Sequence, residues 1–274
     1  KNMEDIIREI QDLRYLNWSK TRKSSGTAGS FLKSYEESGE KKIYYKLSDY
    51  DSVKGIVGHE CINEIIVQRL LNILEIEHLN YTLIHAAVCV DGKDYETYLC
   101  KSEDFKKSGE SKISLEDYYA MEKEDNESPL DFCRNKGWEN YVYDMFLIDY
   151  LVLNRDRHGA NIEVLRDHKK HTDRVAPLFD HGLSFVCRCH TLNELKAFDV
   201  MEDKKIQSFI GTDSSFANLK LIPKEILKRY PSFGKTELNS IFEDIDGIIG
   251  KEYVRMIKKM IWERWCNLDS IRNS

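Results

Sequence analysis

Apolar positions recur along this chain at two spacings. Ile6, Ile7, Ile10, Leu13 and Leu16 fall on one helical face, which predicts a helix over residues 3–16. The same period runs through residues 59–74 (HECINEIIVQRLLNIL), 114–124 and 139–153 (ENYVYDMFLIDYLVL). It returns over residues 250–268, where Tyr253, Met256, Ile257, Met260, Ile261 and Trp265 share a face. β-like runs occur elsewhere. Residues 18–49 read as strand, Gly/Ser turn, strand, turn at 37–41, strand, the last being IYYKL. YTLIHAAVCV and YETYLCK read as two strands around the turn Asp91-Gly92-Lys93, and shorter strand-like pieces follow at 161–165 and 175–179.

The order is strand-rich first and helix-rich after, an α+β chain of two lobes. The expected division is an N-lobe over residues 1–98, a hinge at 99–104 and a mostly helical C-lobe over 105–274. A cleft between two lobes is a preferred ligand site. Composition narrows the functions open to it. With 47 acidic against 41 basic residues the net charge is −6, so the phosphate-neutralising surplus of a general nucleic-acid binder is missing. The seven cysteines include no C-x-x-C pair, and reduced thiols in the cytoplasm are the expectation. HKKH at 168–171 reads as a polar turn. The N-terminal stretch has no signal-peptide core, and no apolar run reaches membrane-spanning length. The expected location is cytoplasmic, with export or translocation into another cell left open.

Four polar features sit where a two-lobed phosphotransferase needs them. The first is SSGTAGSFLK, in which Ser25, Gly26, Thr27, Ala28, Gly29 and Ser30, with Ser24 before them, supply close backbone approach and hydroxyl donors for an anion. Its G-x-x-G spacing differs from the kinase G-x-G-x-x-G. The second is Lys46, inside the apolar run IYYKL, with Glu64 on the following helix as its expected partner and Glu60, one turn earlier, as the alternate. The third is LNRDRHGAN. Asp156 and Asn161 are five residues apart, so one loop can orient a substrate hydroxyl through the Asp and hold Mg²⁺ through the Asn. The fourth is VAPLFDHG, where an apolar run delivers Asp180, suited to bridge Mg²⁺ and phosphates, and Gly182 lets the chain turn. Arg157 and His158 are further candidates for holding phosphate charge.

NRDRHGAN, PLFDHG, SSGTAGSFLK, YYKLS and NEIIVQRLLNIL together resemble the HipA-like serine/threonine kinases, over roughly residues 18–265. The resemblance implies a bilobal protein-kinase-like fold and transfer of the ATP γ-phosphate to Ser or Thr of a protein substrate. It implies Asp156 as the base, Asn161 and Asp180 as Mg²⁺ ligands, Lys46 on the phosphates and His158 near the γ-phosphate. Arg155 takes the place of the kinase H-R-D arginine. The backbone of Tyr98, Leu99, Cys100 and Lys101 would receive adenine. Long HipA toxins carry an additional N-terminal subdomain. The expectation here is a compact member, similar to cell-translocating kinases or to toxins that meet that subdomain or an antitoxin as a separate protein. With no helix-turn-helix, DNA contact would come only through a partner. Autophosphorylation of the Gly/Ser loop is a further expectation.

Two other readings stand beside it. D-R-H-x-x-N-I also resembles phosphatidylinositol kinases, but no dense basic cluster for an inositol headgroup lies between Asp180 and Ile222. A catalytically silent ATP-binding scaffold is the non-enzyme alternative, and a scaffold need not keep both metal ligands.

Overall fold

In the computed structural model, which describes residues 5–19, 31–39 and 41–274, the first apolar segment is a strand, β1 (Ile6–Asp12). It is followed by β2 (Lys33–Ser38), β3 (Lys41–Lys46) and the short β4 (Tyr50–Asp51) and β5 (Gly55–Ile56). Helix α1 (Glu60–Ile73) leads to β6 (Tyr81–Val90) and β7 (Lys93–Glu103), then β8 (Glu110–Ser114), α2 (Leu115–Glu122), α3 (Pro129–Asn135) and α4 (Glu139–Val152). Next come β9 (Asp156–Arg157), β10 (Glu163–Asp167) and β11 (Thr172–Val175). Short helices α5 (Leu192–Ala197), α6 (Ser215–Leu219), α7 (Lys224–Leu227) and α8 (Lys235–Ser240), with β12 (Gln207–Ser208) between the first two, precede the long α9 (Lys251–Asn273).

Five strands form one sheet in the order β1-β6-β7-β3-β2. Its centre is the β6–β7 hairpin, closed by Asp91 and Gly92, both at positive φ, which matches the twist of paired strands. β1 runs parallel to β6, with Ile6 opposite Leu83 and a register shift between Ile7 and Gln11. The helix predicted over 3–16 is therefore corrected. An isoleucine-rich segment beside the open edge of β6 gains a ladder of hydrogen bonds there, and Ile10 on the outer side stays half-exposed.

The sheet buries both faces. Ile84, Leu99, Leu47 and Tyr45 lie in a small cluster on one side with Leu13 and Leu32. Leu83 and Cys100, one step along each strand, face α1 on the other side. α1 is buried nearly all round, and its core runs on without interruption into that of α4 and α9. β7 is longer than expected and stays in the sheet to Glu103, so the chain leaves it at Asp104.

The helical part is organised by α4, which packs on α3, α6 and α9. Between Asp180 and Gly250 the helices are short and turns are frequent. Arg264 of α9 is fully buried there and donates to the carbonyls of Tyr150 (2.7 Å), Val200 (2.8 Å) and Glu202 (3.2 Å). The carbonyls of Val200 and Glu202, which lie outside the helices, thus find a partner in a side chain. No helix among the described residues is long and apolar enough to cross a membrane.

Burial holds His59, His78 and His181 below the ordinary histidine value of 6.5. Between that value and each folded-state value the unfolded chain binds more protons, so stability is full above pH 6.5 and falls as the pH drops below it. Urea midpoints are expected to be level from pH 8 to 7 and to decline from 6.5 to 5. A midpoint constant down to pH 5 contradicts the neutral burial of these rings.

Candidate active site

β3 ends on Lys46, whose side chain turns toward α1 and is buried. Its Nζ donates to Glu64 Oε1 at 2.6 Å and to Asp180 Oδ1 at 2.8 Å. Glu64 also accepts the backbone N–H of His181 (2.9 Å) and of Gly182 (3.1 Å). A buried carboxylate without such partners would be costly. Glu60 instead accepts the N–H of Asp49 at 3.0 Å, so of the two glutamates it is Glu64 that meets Lys46. Burial alone would lower the Lys46 pKa, but Asp180 and Glu64 outweigh it and hold the pKa well above the usual lysine value. Lys46 is charged at neutral pH.

Asp180 is placed by a left-handed backbone, φ +59°, and its N–H donates to the Tyr81 hydroxyl at 3.3 Å. The sharp bend therefore falls on the aspartate, which tolerates that region, and not on Gly182 as expected. Gly182 serves close approach. A Cβ there would lie 3.0 Å from Glu60 Cβ and 3.3 Å from its carbonyl oxygen. Asn63 completes the seam, donating to the carbonyls of Gly182 (2.8 Å) and Ser184 (3.3 Å).

The loop opposite begins where α4 stops at Leu153, also left-handed (φ +51°), with the Asn154 N–H returned to the Asp149 carbonyl at 3.0 Å. Arg157 is fully buried. Its Nε and Nη2 bond both oxygens of Asp149 at 2.9 and 2.8 Å, and Nη1 donates to the carbonyls of Phe179 (2.9 Å) and Asn161 (3.4 Å). One guanidinium thus ties α4, the loop and the residue before Asp180. Asn161 Nδ2 donates to the Asp156 carbonyl at 2.8 Å. His158 Nδ1 accepts the Ala160 N–H (3.2 Å), and Nε2 lies 3.5 Å from Asp156 Oδ1. Gly159 is required, since a Cβ would sit 2.5 Å from Glu116 Cβ. β9 pairs in parallel with β12, setting Gln207 beside Asp156. A cleft of about 1120 Å³ runs past Lys46, Asp180 and Ala160, with Tyr44, Phe105 and Phe179 in its walls.

The fold that carries these residues has solved counterparts. A proinflammatory kinase of Helicobacter pylori, CtkA, superposes with TM-score 0.66 at 16% identity, over 96% of this chain and 97% of that one. HipA from the Shewanella oneidensis toxin–antitoxin complex with HipB and operator DNA gives 0.52 at 15%, over 91% and 67%. No family model matches the sequence, and no curated protein is similar to it in sequence. The chain has the fold of the HipA-like kinases.

In this HipA-like fold the structure brings Lys46, Glu64 and Asp180 into direct contact, and Asp156, His158 and Asn161 onto one loop. Ser25, Gly26, Thr27, Ala28, Gly29 and Ser30 lie outside the described residues. The flanking Ser19 and Lys33 bond each other's backbone at 3.0 Å in both directions and line the cleft. Two expectations are corrected. Leu99 and Cys100 cannot offer their backbone to adenine. Leu99 is opposite Ile84, with its side chain in the outer cluster, and Cys100 is flanked by Leu83 on β6 and Lys46 on β3. Arg157 does not face phosphate, because Asp149, Phe179 and Asn161 take up its donors. Arg155 stacks on Phe198, 5.7 Å away, and its Nε and Nη2 have no hydrogen-bond partner among the described residues.

The site's chemistry fits a hard divalent cation. Two carboxylates, Glu64 and Asp180, face one lysine, leaving negative charge in excess. The Asn161 amide bonds Asp156 through its nitrogen, which turns its oxygen away from that bond. Carboxylate and amide oxygens suit Mg²⁺, which takes one or two protein ligands and completes its shell with water and phosphate. Among the described residues no group of three or more His, Cys, Asp or Glu could form a denser metal centre.

Asp149 and Tyr81 are functional neighbours that motif reading missed. Asp149 carried a signal, a carboxylate inside the apolar run FLIDYLVL. Tyr81 carried none. Asp149→Ala leaves the Arg157 charge buried and unpaired, and an unfolding free energy lower by about 3–5 kcal/mol is expected. The double variant Asp149→Ala/Arg157→Met should lose less than the two single variants summed. Additive urea-unfolding losses would contradict the clamp.

Proposed function

We propose that this chain is a Mg·ATP-dependent protein serine/threonine kinase of HipA-like type. The observation that carries the reading is the Lys46–Glu64–Asp180 cluster, joined through Arg157 to the loop that holds Asp156 and Asn161. Phosphoryl transfer asks for positioning and charge neutralisation. Lys46 receives phosphate oxygens. Asp156 is held by the Asn161 bond to its carbonyl and by β9–β12 pairing, with its carboxylate partly open to solvent. It orients the acceptor hydroxyl and takes its proton as the hydroxyl oxygen bonds to the γ-phosphorus and ADP leaves. His158 beside it steadies that carboxylate. Asn161 and Asp180 would hold Mg²⁺, which when bound neutralises charge on the transferred group.

The Gly/Ser segment 24–30 covers the phosphates in this reading, a role favoured by the cleft position of Ser19 and Lys33. The hinge moves to the residues that follow β7, so the adenine edge meets Asp104 and Phe105. The acceptor is a hydroxyl of a protein. The neighbours' contexts, a proinflammatory kinase and a toxin–antitoxin complex, favour a toxin or effector role acting on protein partners. The net charge of −6 disfavours direct nucleic-acid contact.

Asp156→Asn is expected to lower phosphate incorporation from labelled ATP by about 100-fold or more. The thermal shift produced by ATP and Mg²⁺ should persist. Retained transfer removes Asp156 from its role, and a thermal shift in wild type with no incorporation favours the scaffold reading. Mass spectrometry of wild type incubated with Mg·ATP should find phosphate on Ser24, Ser25, Thr27 or Ser30, absent from the Asp156→Asn protein. An unmodified loop contradicts autophosphorylation there.

A further inference from the structure

Two buried cysteines lie beside the backbone of Lys46. Cys61 lies in the first turn of α1 and Cys100 on β7, and they are 0% and 1% exposed. The Cys61 thiol donates to the Lys46 carbonyl at 3.1 Å, and its backbone N–H donates to Ser48 Oγ at 3.0 Å. The Cys100 thiol donates to the Cys61 carbonyl at 3.2 Å. Lys46 and Cys100 are ladder partners, so the three residues converge on one point of the sheet.

The two thiols also act on each other. Burial opposes the Cys61 thiolate, but Cys100, the Lys46 ammonium and Ser48 outweigh it, and the Cys61 pKa lies below the ordinary thiol value. Burial first, then Cys61, pushes the Cys100 thiol well up. The pair is thus asymmetric: the Cys61 sulfur bonds the Lys46 carbonyl, and the Cys100 sulfur bonds the carbonyl of Cys61 itself. Cys133 and Cys187 differ: burial, the largest influence on each, pushes them up to about 12 and about 11. Cys100 also borders the cleft, the side from which a small oxidant would approach the pair.

We propose that Cys61 and Cys100 form a reversible disulfide under peroxide, a modification site that controls the Lys46–Glu64 contact. The Cys61 thiolate attacks hydrogen peroxide; an S–O bond forms, the O–O bond breaks and hydroxide leaves, taking up a proton as water. The Cys100 sulfur, losing its proton, attacks that sulfur; an S–S bond forms and the S–O bond breaks, releasing a second water. Two thiols are oxidised and one peroxide is reduced. The new bond, about 2.05 Å long, turns Cys61 from the Lys46 carbonyl and Cys100 from the Cys61 carbonyl. Cys61 is three residues before Glu64 on the same helical face, so the turn that carries Glu64 moves with it. Phosphoryl transfer falls until a thiol reductant restores the pair. That loss of transfer rests on the proposed kinase reading; the disulfide does not.

The test treats the whole protein with hydrogen peroxide, alkylates it in denaturant, digests it without reductant and reads the peptides by mass spectrometry. A Cys61–Cys100 linked peptide that disappears with dithiothreitol is expected, with transfer lowered at least about tenfold and restored on reduction. Cys61→Ser, which keeps a donor for the Lys46 carbonyl, should transfer phosphate and ignore peroxide. Both cysteines alkylated after a dose that oxidises the exposed Cys266 would overturn the proposal. A linked peptide with unchanged transfer overturns the control role. Reduced wild type without any transfer overturns the kinase reading instead, and the mass spectrum alone then decides the disulfide.

Discussion

Everything at the floor of the cleft hangs on the buried pair Arg157–Asp149. A guanidinium removed from water is costly, and a bidentate carboxylate with two carbonyls offsets that cost only in one geometry. That geometry fixes where the loop after α4 begins, where Asn161 sits and where the strand-like run ending at Phe179 delivers Asp180. It also explains the left-handed Leu153. The chain must leave α4 abruptly for Arg157 to double back on the helix that precedes it. A pair of apolar residues could fill the same volume, but could not bind two backbone carbonyls from separate segments.

The opposite wall is organised by one lysine between two carboxylates. Glu64 belongs to α1 and Asp180 to the segment that Arg157 holds, so Lys46 reports the position of both. α1 is the mechanical link. It packs on the sheet through Ile65 and Leu70 and on the far segment through Asn63 and Glu64, and the core on that side is continuous into the helical part. A displacement of the first turn of α1, which carries Cys61, is therefore felt at Lys46 and Asp180.

Much of this was legible in the residues. Helical periods over 59–74, 114–124 and 139–153 coincide with α1, α2 and α4, because apolar residues recur there at the spacing of a helical turn. Lys46, Glu64 and Asp180 stand out as polar groups in apolar runs, and Asp156 and Asn161 by their spacing in one polar loop. The failures have physical causes. Residues 3–16 have an apolar face compatible with either period, and the open edge of β6 decided for a strand. The extent of β7 to Glu103 could not be read, because its pairing with β3 depends on where two distant segments meet. Arg157 looked like a phosphate ligand because charge type does not reveal direction, and only the buried Asp149 eight residues earlier tells which way it points. Between Asp180 and Gly250, short helices capped by side chains leave no period to detect.

The central claim is that the cleft holds Mg·ATP between the Lys46 cluster and the Asp156 loop. A crystal structure with Mg²⁺ and a non-hydrolysable ATP analogue tests it most directly. The account predicts metal bound by Asn161 and Asp180, phosphates on Lys46 and the base beside Asp104 and Phe105. A nucleotide bound elsewhere, or with its phosphates turned away from Lys46 and Asp180, would contradict it.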